Sequence, residues 1–365
     1  MWLKRLHAEK IRNLKAVAVD LPAGLALIAG RNGQGKTSLL EAAYLLGTTR
    51  SFRTGRTDEI VAREGGPGRI AGEVAGLSGS SKLTVVLDSG IRRLFVDDVE
   101  RPIDAYLGRL DLVALPSDSA RVLRDGPDGR RRFIDSGIAG LRPGFLADLG
   151  DYRRALAERN ALLRRGGGAA HLDAWDEQLT EAASRLHRQR RAYVLELGCR
   201  LGEAERALLA PEEEIVLRYR PSPSASAERD PAEFAGTFRE ALARSRGRDL
   251  ALGFTSEGPH KDDLETVFAG ADIRRFGSAG QLRATMIALC AGKLSLLKER
   301  HQESPLFLMD DFDSDLDEIR VRSLIDFLSA GGFQALLASS KVGSLERPGF
   351  SFPTIRMEGG LARAA

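Results

Sequence analysis

The stretch LALIAGRNGQGKTSLLEAAYLL, residues 25–46, determines the fold class that the sequence predicts. A short apolar run is followed by a glycine-rich turn and then by leucine and alanine at helical spacing, a pattern that predicts a strand, a loop and a helix. Residues 30–37 match G-x-x-x-x-G-K-[ST] at every fixed position, in the strand–loop–helix context that this pattern requires. The stretch therefore predicts a loop that holds the phosphates of a nucleoside triphosphate.

The residue types of this loop suit a phosphate chain. Glycines at 30, 33 and 35 let the backbone curl so that successive N–H groups point inward, next to the positive end of the following helix. Lys36 is predicted to reach the β- and γ-phosphates and so to assist catalysis, and the Thr37 hydroxyl is predicted to coordinate Mg²⁺. The predicted nucleotide-binding residues here are Gly30, Arg31, Asn32, Gly33, Gln34, Gly35, Lys36, Thr37 and Ser38.

The overall composition limits the class of protein. A chain of 365 residues exceeds one compact core, so two lobes are expected. No apolar run approaches the roughly 20 residues that cross a bilayer, and the N-terminus lacks the apolar segment of a secretion signal, so we expect a cytoplasmic protein without a membrane partner. Cys199 and Cys290 are far apart and indicate neither a disulfide framework nor a zinc site. A net charge of +3 permits a nucleic-acid partner without requiring one.

The hydrophobic pattern divides the chain into two regions. Residues 1–115 and 292–365 show strand-like alternation and short buried runs, which predicts an α/β lobe that binds nucleotide. Residues 116–291 show long helical runs that break at the glycines of 166–168, which predicts an inserted helical lobe. Its longest helix covers about 39 residues, roughly 58 Å, so the lobe carries only a short arm. No internal repeat is visible.

A pair of acidic residues completes the predicted nucleotide site. The run LFLMDD, residues 306–311, is a buried strand that ends in Asp310, predicted to bind the metal, and Asp311, predicted to position the attacking water. Alternating aspartates at 311, 313 and 315 also suggest a calcium loop. That interpretation fails because Leu316 stands where the sharp turn needs glycine and Arg322 where the loop needs glutamate.

A third element is SAGQ, residues 278–281, which opens a long apolar-periodic helix. A serine and a glycine at a helix N-terminus can bind an anion, although the same residues also serve as an ordinary helix cap. Their position shortly before the acidic strand favours anion binding by Ser278, Gly280 and Gln281.

The order of these motifs resembles that of the ABC-type ATPases, which include the SMC and Rad50 heads. The finer resemblance is to the RecF family of bacterial recombination and repair ATPases, and it extends over most of the chain. Four segments carry it, namely GRNGQGKTSLLEAAYLLGTTRSFRT at 30–54, GPDGRRRFID at 126–135, GPHKDDL at 258–264 and LMDDFDSDLD at 308–317.

The resemblance implies an ABC-type ATPase head, with Walker A and B motifs, that uses ATP and Mg²⁺. ATP on the loop of one subunit would be closed in by Ser278, Gly280 and Gln281 of a second, which gives an ATP-dependent homodimer. The resemblance also implies binding to duplex and gapped or junction DNA, action with RecO and RecR to help load RecA on single-stranded gaps, and roles in replication restart and the SOS response. Hydrolysis would be weak and DNA-stimulated, serving as a release switch.

Two positions depart from the family pattern. The strand near the C-terminus ends in ASSK, residues 338–341, where the family usually has threonines, so Ser339 and Ser340 are alternative candidates for contacting the γ-phosphate. The segment LPSDSARVLRDGP, residues 115–127, stands where the family usually has PEDL, and no glutamine is assigned to the Q-loop.

Two arginine groups are candidates for DNA contact. They are Arg50, Arg53 and Arg56, and Arg130, Arg131 and Arg132. Contacts of this kind with phosphates are independent of sequence and sensitive to salt. The alternative is that these arginines are solvated or pair with nearby acids such as Asp58 and Asp135.

Two other ABC-type functions are alternatives to the RecF assignment. A transporter ATPase subunit shares the phosphate loop and the SAGQ helix, but such subunits usually carry a histidine after the last strand, and ASSK has none. An SMC- or Rad50-like head that bridges DNA has a very long heptad region between its halves, and the helical insertion here is short.

Overall fold

The computed structural model describes residues 1–62, 65–77, 79–142, 144–166, 169–226, 230–312, 314, 316–340 and 352–364. The strands are β1 Trp2–Ile11, β2 Leu14–Asp20, β3 Leu25–Ala29, β4 Gly68–Gly76, β5 Gly79–Asp88, β6 Ile91–Val96, β7 Val99–Glu100, β8 Leu112–Leu115, β9 Ile215–Arg220, β10 Asp263–Phe268, β11 Ala271–Asp272, β12 Leu306–Met309, β13 Ala335–Ser339, β14 Thr354–Glu358 and β15 Leu361–Ala364. The helices are α1 Lys36–Thr48, α2 Ile103–Tyr106, α3 Arg121–Arg124, α4 Pro127–Leu141, α5 Phe145–Arg165, α6 Ala169–Leu208, α7 Phe234–Leu252, α8 Ile273–Phe276, α9 Ala279–His301 and α10 Glu318–Ala330.

The chain divides into two compact units. The first comprises Met1–Ala120, Leu201–Pro211 and Ser278–Ala365, and the second comprises Arg121–Arg200 and Glu212–Gly277. The sequence-based division assigns residues 116–120, 201–211 and 278–291 to the helical lobe. The structure groups all three segments instead with the α/β unit. For the last of them the reason is that α9 packs against strand β8.

The first unit contains two sheets. One is antiparallel, in the order β2-β1-β4-β5-β6-β7. The other has the order β15-β14-β3-β13-β12-β8, in which β14, β3, β13, β12 and β8 run parallel and β15 is antiparallel to β14. Every residue of β3, β12 and β13 is buried, as expected of parallel strands covered on both faces. The strands predicted from their continuous apolar runs are confirmed.

Helix α1 lies between these sheets. It contacts β1 and β4 of the antiparallel sheet and β12 and β13 of the parallel one. Its buried face, which includes Leu39, Leu40, Leu45 and Leu46, belongs to one hydrophobic core with side chains from both sheets. The helix that follows the phosphate loop is therefore held on two sides, which fixes the position of the loop.

The second unit is mainly helical, as predicted, and also holds a sheet that the sequence analysis does not predict. Helix α6, whose residues 169–200 belong to this unit and whose remaining residues belong to the first, has 40 residues, which corresponds to a length of about 60 Å. Strands β9, β10 and β11 form an antiparallel sheet in the order β11-β10-β9. Within the described ranges, no helix of either unit is long and apolar enough to span a bilayer.

Candidate nucleotide-binding site

The phosphate loop connects β3 to α1, as the sequence predicts. Gly33 and Gly35 have φ of +79° and +106°, and Gly35 is the N-cap of α1. A Cβ on Gly30 would lie 2.6 Å from the carbonyl oxygen of Met357 in strand β14. Glycine at these positions is therefore required by backbone conformation or by a close approach of neighbouring backbone.

Lys36 lies inside this loop. The residue is 5% exposed, and Nζ donates hydrogen bonds to the carbonyl oxygens of Gly30 (2.8 Å) and Arg31 (3.1 Å). Hydrogen bonds from an ammonium group to charged oxygens are stronger than those to neutral carbonyls. Phosphate oxygens in the loop would therefore compete well for the Lys36 ammonium group.

Thr37 and Asp310 meet although 273 positions separate them in the chain. The Thr37 hydroxyl donates a 2.8 Å hydrogen bond to Asp310 Oδ2. Asp310 is 3% exposed, and its Oδ1 has no hydrogen-bond partner among the described residues. Burial raises the pKa of Asp310, and the neighbouring Asp311 charge adds to the rise, whereas the Thr37 hydrogen bond and Lys36 oppose it. A hydroxyl beside a buried carboxylate with an unsatisfied oxygen suits a hard divalent cation.

Asp311 follows in an unusual backbone conformation. Its φ is +46°, the left-handed region that residues other than glycine seldom adopt. The buried guanidinium of Arg283 contacts the carbonyl oxygens of both acidic residues, through Nη2 to Asp310 (2.7 Å) and to Asp311 (3.1 Å). Sequence reasoning missed Arg283, because nothing in its local pattern distinguishes it from other arginines on helices.

Two turns fasten the phosphate loop from outside. Ser38 Oγ donates to Asn13 Oδ1 (2.7 Å), and Asn13 Nδ2 donates to the carbonyl of Gly33 (2.9 Å). Gln34 Oε1 accepts from the N–H of Gly359 (2.6 Å), in the turn between β14 and β15. Gln34 and Ser38 thus use their side chains to hold the loop in place. Asn13, in the turn between β1 and β2, is a supporting residue that the sequence analysis did not identify.

The SAGQ turn forms the N-terminus of α9. Ser278 Oγ accepts from the N–H of Gln281 (3.2 Å), and Gln281 Oε1 accepts from the N–H of Ser278 (2.9 Å), which is a capping box. Ser278 is exposed, and Gly280 and Gln281 are half-buried. The helix cap is therefore present, and an anion-binding role stays a prediction for this turn.

Ser339 and Ser340 differ in environment. Ser339 is buried at the end of β13 and pairs in register with Ala29, the last residue before the phosphate loop. Ser340 follows and is half-buried. Lys341, Asp313 and Asp315, which also belong to the predicted motifs, lie outside the described residues.

Two of the three arginines in the first group form ion pairs with acidic residues of the same chain. Arg53 lies 3.6 Å from Glu41, a buried carboxylate that also receives two hydrogen bonds from Arg12. Arg56 is 72% exposed and pairs with Asp58 (3.1 Å), the alternative considered above. Arg50 is exposed.

The second arginine group divides into buried and exposed members. Arg130 is 3% exposed and forms a two-pronged ion pair with Asp263 (2.6 and 2.9 Å), so it belongs to the interior and is removed from the candidate DNA contacts. Arg131 donates to the carbonyl of Asp262 (2.6 Å) and pairs with Asp128. Arg132 is exposed. Asp135, offered as a partner for this group, instead binds Arg190 (2.9 Å).

The GPHKDDL segment, residues 258–264, lies largely in the interior of the second unit, and Lys261 is its one exposed residue. Asp262 accepts from Arg190 (2.8 Å) and, like Arg190, is buried. His260 Nε2 donates to the Thr255 carbonyl (2.9 Å), so the neutral ring accepts from the Tyr152 hydroxyl at Nδ1 (2.7 Å). Burial lowers the pKa of His260 to about 4. This motif therefore stabilises the helical unit.

The phosphate loop, the acidic pair that follows a parallel strand and the capped SAGQ helix define a protein of the ABC-type ATPase head class. A curated protein of Myxococcus xanthus, "DNA replication and repair protein RecF", is 35% identical over 352 residues, which cover 95% of this chain and 92% of that protein. The chain belongs to the RecF family of DNA replication and repair proteins.

Other comparisons agree. A protein of the same name from Geobacter sulfurreducens is 31% identical, with 96% of this chain and 95% of that protein covered. The family described as an AAA domain matches residues 5–79. The solved "Structure of the recombination mediator protein RecF-ATP in RecFOR pathway" has a TM-score of 0.90 at 26% identity and covers 100% of this chain and 97% of that one. An Smc head bound to part of ScpA has a TM-score of 0.57 at 13% identity and shows the shared fold alone.

Proposed function

We propose that this chain is an ATP-dependent DNA-binding protein of recombinational repair, which acts in the cytoplasm as a homodimer closed by ATP. The observation that carries the proposal is the Thr37–Asp310 hydrogen bond of 2.8 Å, which joins the phosphate loop to the acidic strand. It brings together the two segments that we propose bind the nucleotide and Mg²⁺. The solved RecF structures described with ATP and with ATPrS, to which this chain is similar along its whole length, support ATP as the nucleotide.

In the proposed site, Gly30 to Thr37 bind the triphosphate and Lys36 neutralises the charge of its outer phosphates. Thr37 and Asp310 would hold Mg²⁺, whose chemical contribution is to offset charge on the phosphate oxygens. Asp311 would position the water that attacks the γ-phosphate, and Ser339 or Ser340 would contact that phosphate.

The SAGQ turn supplies the proposed closing surface. Ser278 is exposed at the N-terminus of a 23-residue helix, where backbone N–H groups and the helix dipole favour an anion. We infer that Ser278, Gly280 and Gln281 of one subunit cover the nucleotide of the other. ATP then stabilises the dimer, and slow, DNA-stimulated hydrolysis releases it.

Closed dimers would bind duplex DNA and gapped or junction DNA, and act with RecR and RecO to help load RecA at single-stranded gaps, during replication restart and SOS induction. Family membership supports this part of the proposal. Arg50 and Arg132, both exposed, are the remaining arginines of the two groups for which the structure gives no ion pair among the described residues. They are the first candidates for phosphate contacts.

The test measures affinity for a fluorescent duplex and for the same duplex with a single-stranded gap, in ATP with Mg²⁺ and in ADP with Mg²⁺, over a series of salt concentrations. We expect tighter binding in ATP and a steep fall with salt, because phosphate contacts release counterions. Lys36→Met, which removes the ammonium group from the loop, should bind DNA equally in both nucleotides. Equal affinity of the unaltered protein in ATP and ADP would contradict the proposal.

A further inference from the structure

Arg283 is a buried cation that holds backbone atoms from two segments of the first unit. The residue is 2% exposed. Nη2 donates to the carbonyls of Asp310 and Asp311, and Nη1 donates to the carbonyl of Pro116 (3.1 Å). Nη1 is also within hydrogen-bond distance of the Ser117 carbonyl and of Ser119 Oγ, both at 3.3 Å.

These contacts fall on a strained point of the candidate site. Asp311 has a φ of +46°, which side-chain-bearing residues adopt only where their surroundings hold them. The Asp311 carbonyl accepts from Arg283, and the next N–H, of Phe312, donates to the Ala338 carbonyl (3.1 Å). The acidic turn is thus fixed on one side by Arg283 and on the other by strand β13.

The same arginine lies two positions after Gln281, in the first turns of α9. Helix α9 therefore carries the SAGQ cap at its N-terminus and, within the same chain, the group that fixes the acidic turn. A planar guanidinium with several donors is suited to bridge carbonyls from separate segments, which a single ammonium group cannot do equally well.

From these contacts we infer that Arg283 is a positioning residue for ATP hydrolysis, which fixes the Asp310–Asp311 turn of its own subunit so that Asp310 meets the metal and Asp311 meets the attacking water. This inference rests on the proposed function, because it assumes that the turn belongs to an ATP and Mg²⁺ site. It assigns to the first turns of α9 a role in their own subunit, distinct from the role of the SAGQ cap toward the second.

The first test titrates Mg²⁺ into protein with a fluorescent, slowly hydrolysed ATP analogue, and compares Arg283→Met with Arg130→Met. Arg130 is a matched control, since it is also a buried arginine bound to backbone carbonyls, those of Leu123 (3.2 Å) and Asp125 (2.7 Å), and it belongs to the other unit. Arg283→Met should raise the Mg²⁺ midpoint about tenfold, as loss of a group supporting a metal ligand does. Without Mg²⁺, its nucleotide affinity should change by less than about threefold, because the loop contacts are intact.

An unchanged Mg²⁺ midpoint in folded Arg283→Met, or an equal rise in Arg130→Met, would overturn the inference. Arg283→Lys serves if the methionine variant fails to fold. Lysine keeps the charge but not the planar fork, so Arg283→Lys should raise the Mg²⁺ midpoint, but by less than the rise of about tenfold expected of Arg283→Met. An Mg²⁺ midpoint equal to that of the unaltered protein would also overturn the inference.

The second test uses mixed dimers with one productive site. One subunit carries Ser278→Arg and supplies the phosphate loop, and the other carries Lys36→Met and supplies the SAGQ turn. Arg283→Met in the first subunit should lower the hydrolysis rate about tenfold, and in the second it should change the rate by less than about threefold. Equal loss in both arrangements, or loss only in the second, would overturn the inference. If the unaltered protein forms no ATP-dependent dimer, the proposed function fails, while the Mg²⁺ titration still decides the role of Arg283.

Discussion

Arg130 and Arg132 stand two positions apart in one basic run, yet the structure predicts opposite effects of their substitution. Arg130 is buried, with two hydrogen bonds to Asp263 and one each to the Leu123 and Asp125 carbonyls. Arg132 is exposed. Methionine preserves much of the length of either side chain, so Arg130→Met and Arg132→Met form a matched pair that separates a structural role from a surface role.

The expected cost follows from what each substitution leaves behind. Removing one partner of a buried ion pair costs about 3–5 kcal/mol, and because the Asp263 side chain is 33% exposed, we place Arg130→Met near the low end of that range, about 3 kcal/mol. Arg132→Met should change the free energy of unfolding by less than about 0.5 kcal/mol, as is usual for surface positions.

Urea unfolding of both variants measures the stability change, and duplex binding at several salt concentrations measures the DNA contact. Arg132→Met should weaken binding to all sequences alike and reduce the slope of log affinity against log salt by about 1, if this side chain touches a phosphate. Arg130→Met should leave that slope unchanged while the protein is folded. An unaltered urea midpoint in Arg130→Met, or a reduced salt slope in Arg130→Met, would refute the assignment of Arg130 to the interior.

Two further predictions concern the phosphate loop and a buried histidine. Gly30→Ala should lower ATP affinity and cost about 1–3 kcal/mol of stability, because its Cβ would lie 2.6 Å from the Met357 carbonyl oxygen. Gly24→Ala is the control, since a Cβ there would have no atom within 4 Å, and it should change neither property. Equal melting temperatures and equal ATP affinities for the two variants would contradict this prediction. Burial lowers the pKa of His187 from 6.5 to about 4. Between these two pH values the unfolded chain binds a proton at His187 and the folded chain does not. The free energy of unfolding should therefore fall as the pH drops from about 6.5 to 4. His187→Phe keeps a ring that can stack on Phe234 but cannot bind the proton. In urea unfolding across that pH range, its free energy of unfolding should fall less steeply than that of the unaltered protein, by at most about 1.4 kcal/mol per pH unit. Identical pH profiles for the two proteins would exclude His187 as a cause of the pH dependence.

The sequence was sufficient to predict the parts of the candidate site that consist of contiguous residues or follow strongly apolar strands. The phosphate loop is one such segment, and its strand and helix follow from local periodicity. The pairing of Thr37 with Asp310 was also predictable, since β3 and β12 are apolar parallel strands of one sheet and place their carboxyl ends at the same edge.

Contacts made through tertiary structure were not predictable in this way. Arg283 and Asn13 are polar residues whose partners are remote in sequence, so no local pattern assigns them to the site. Arg130, Arg131 and Arg132 look alike in sequence, but successive residues on a helix point about 100° apart, so one of them enters the interior and another faces solvent. Strands β9 to β11 were also not predicted, because they are short and lie among long runs with a helical pattern.

The central claim is that ATP closes a dimer through the SAGQ turn. Sedimentation velocity of the protein without nucleotide, with ATP and Mg²⁺, and with ADP and Mg²⁺ tests it directly, with Lys36→Met and Ser278→Arg measured alongside. Of the three conditions, only ATP with Mg²⁺ should give a dimer. Both variants should lose this dimer, while Ser278→Arg should still bind ATP. A monomer under every condition, or a dimer that persists in Ser278→Arg, would contradict the account.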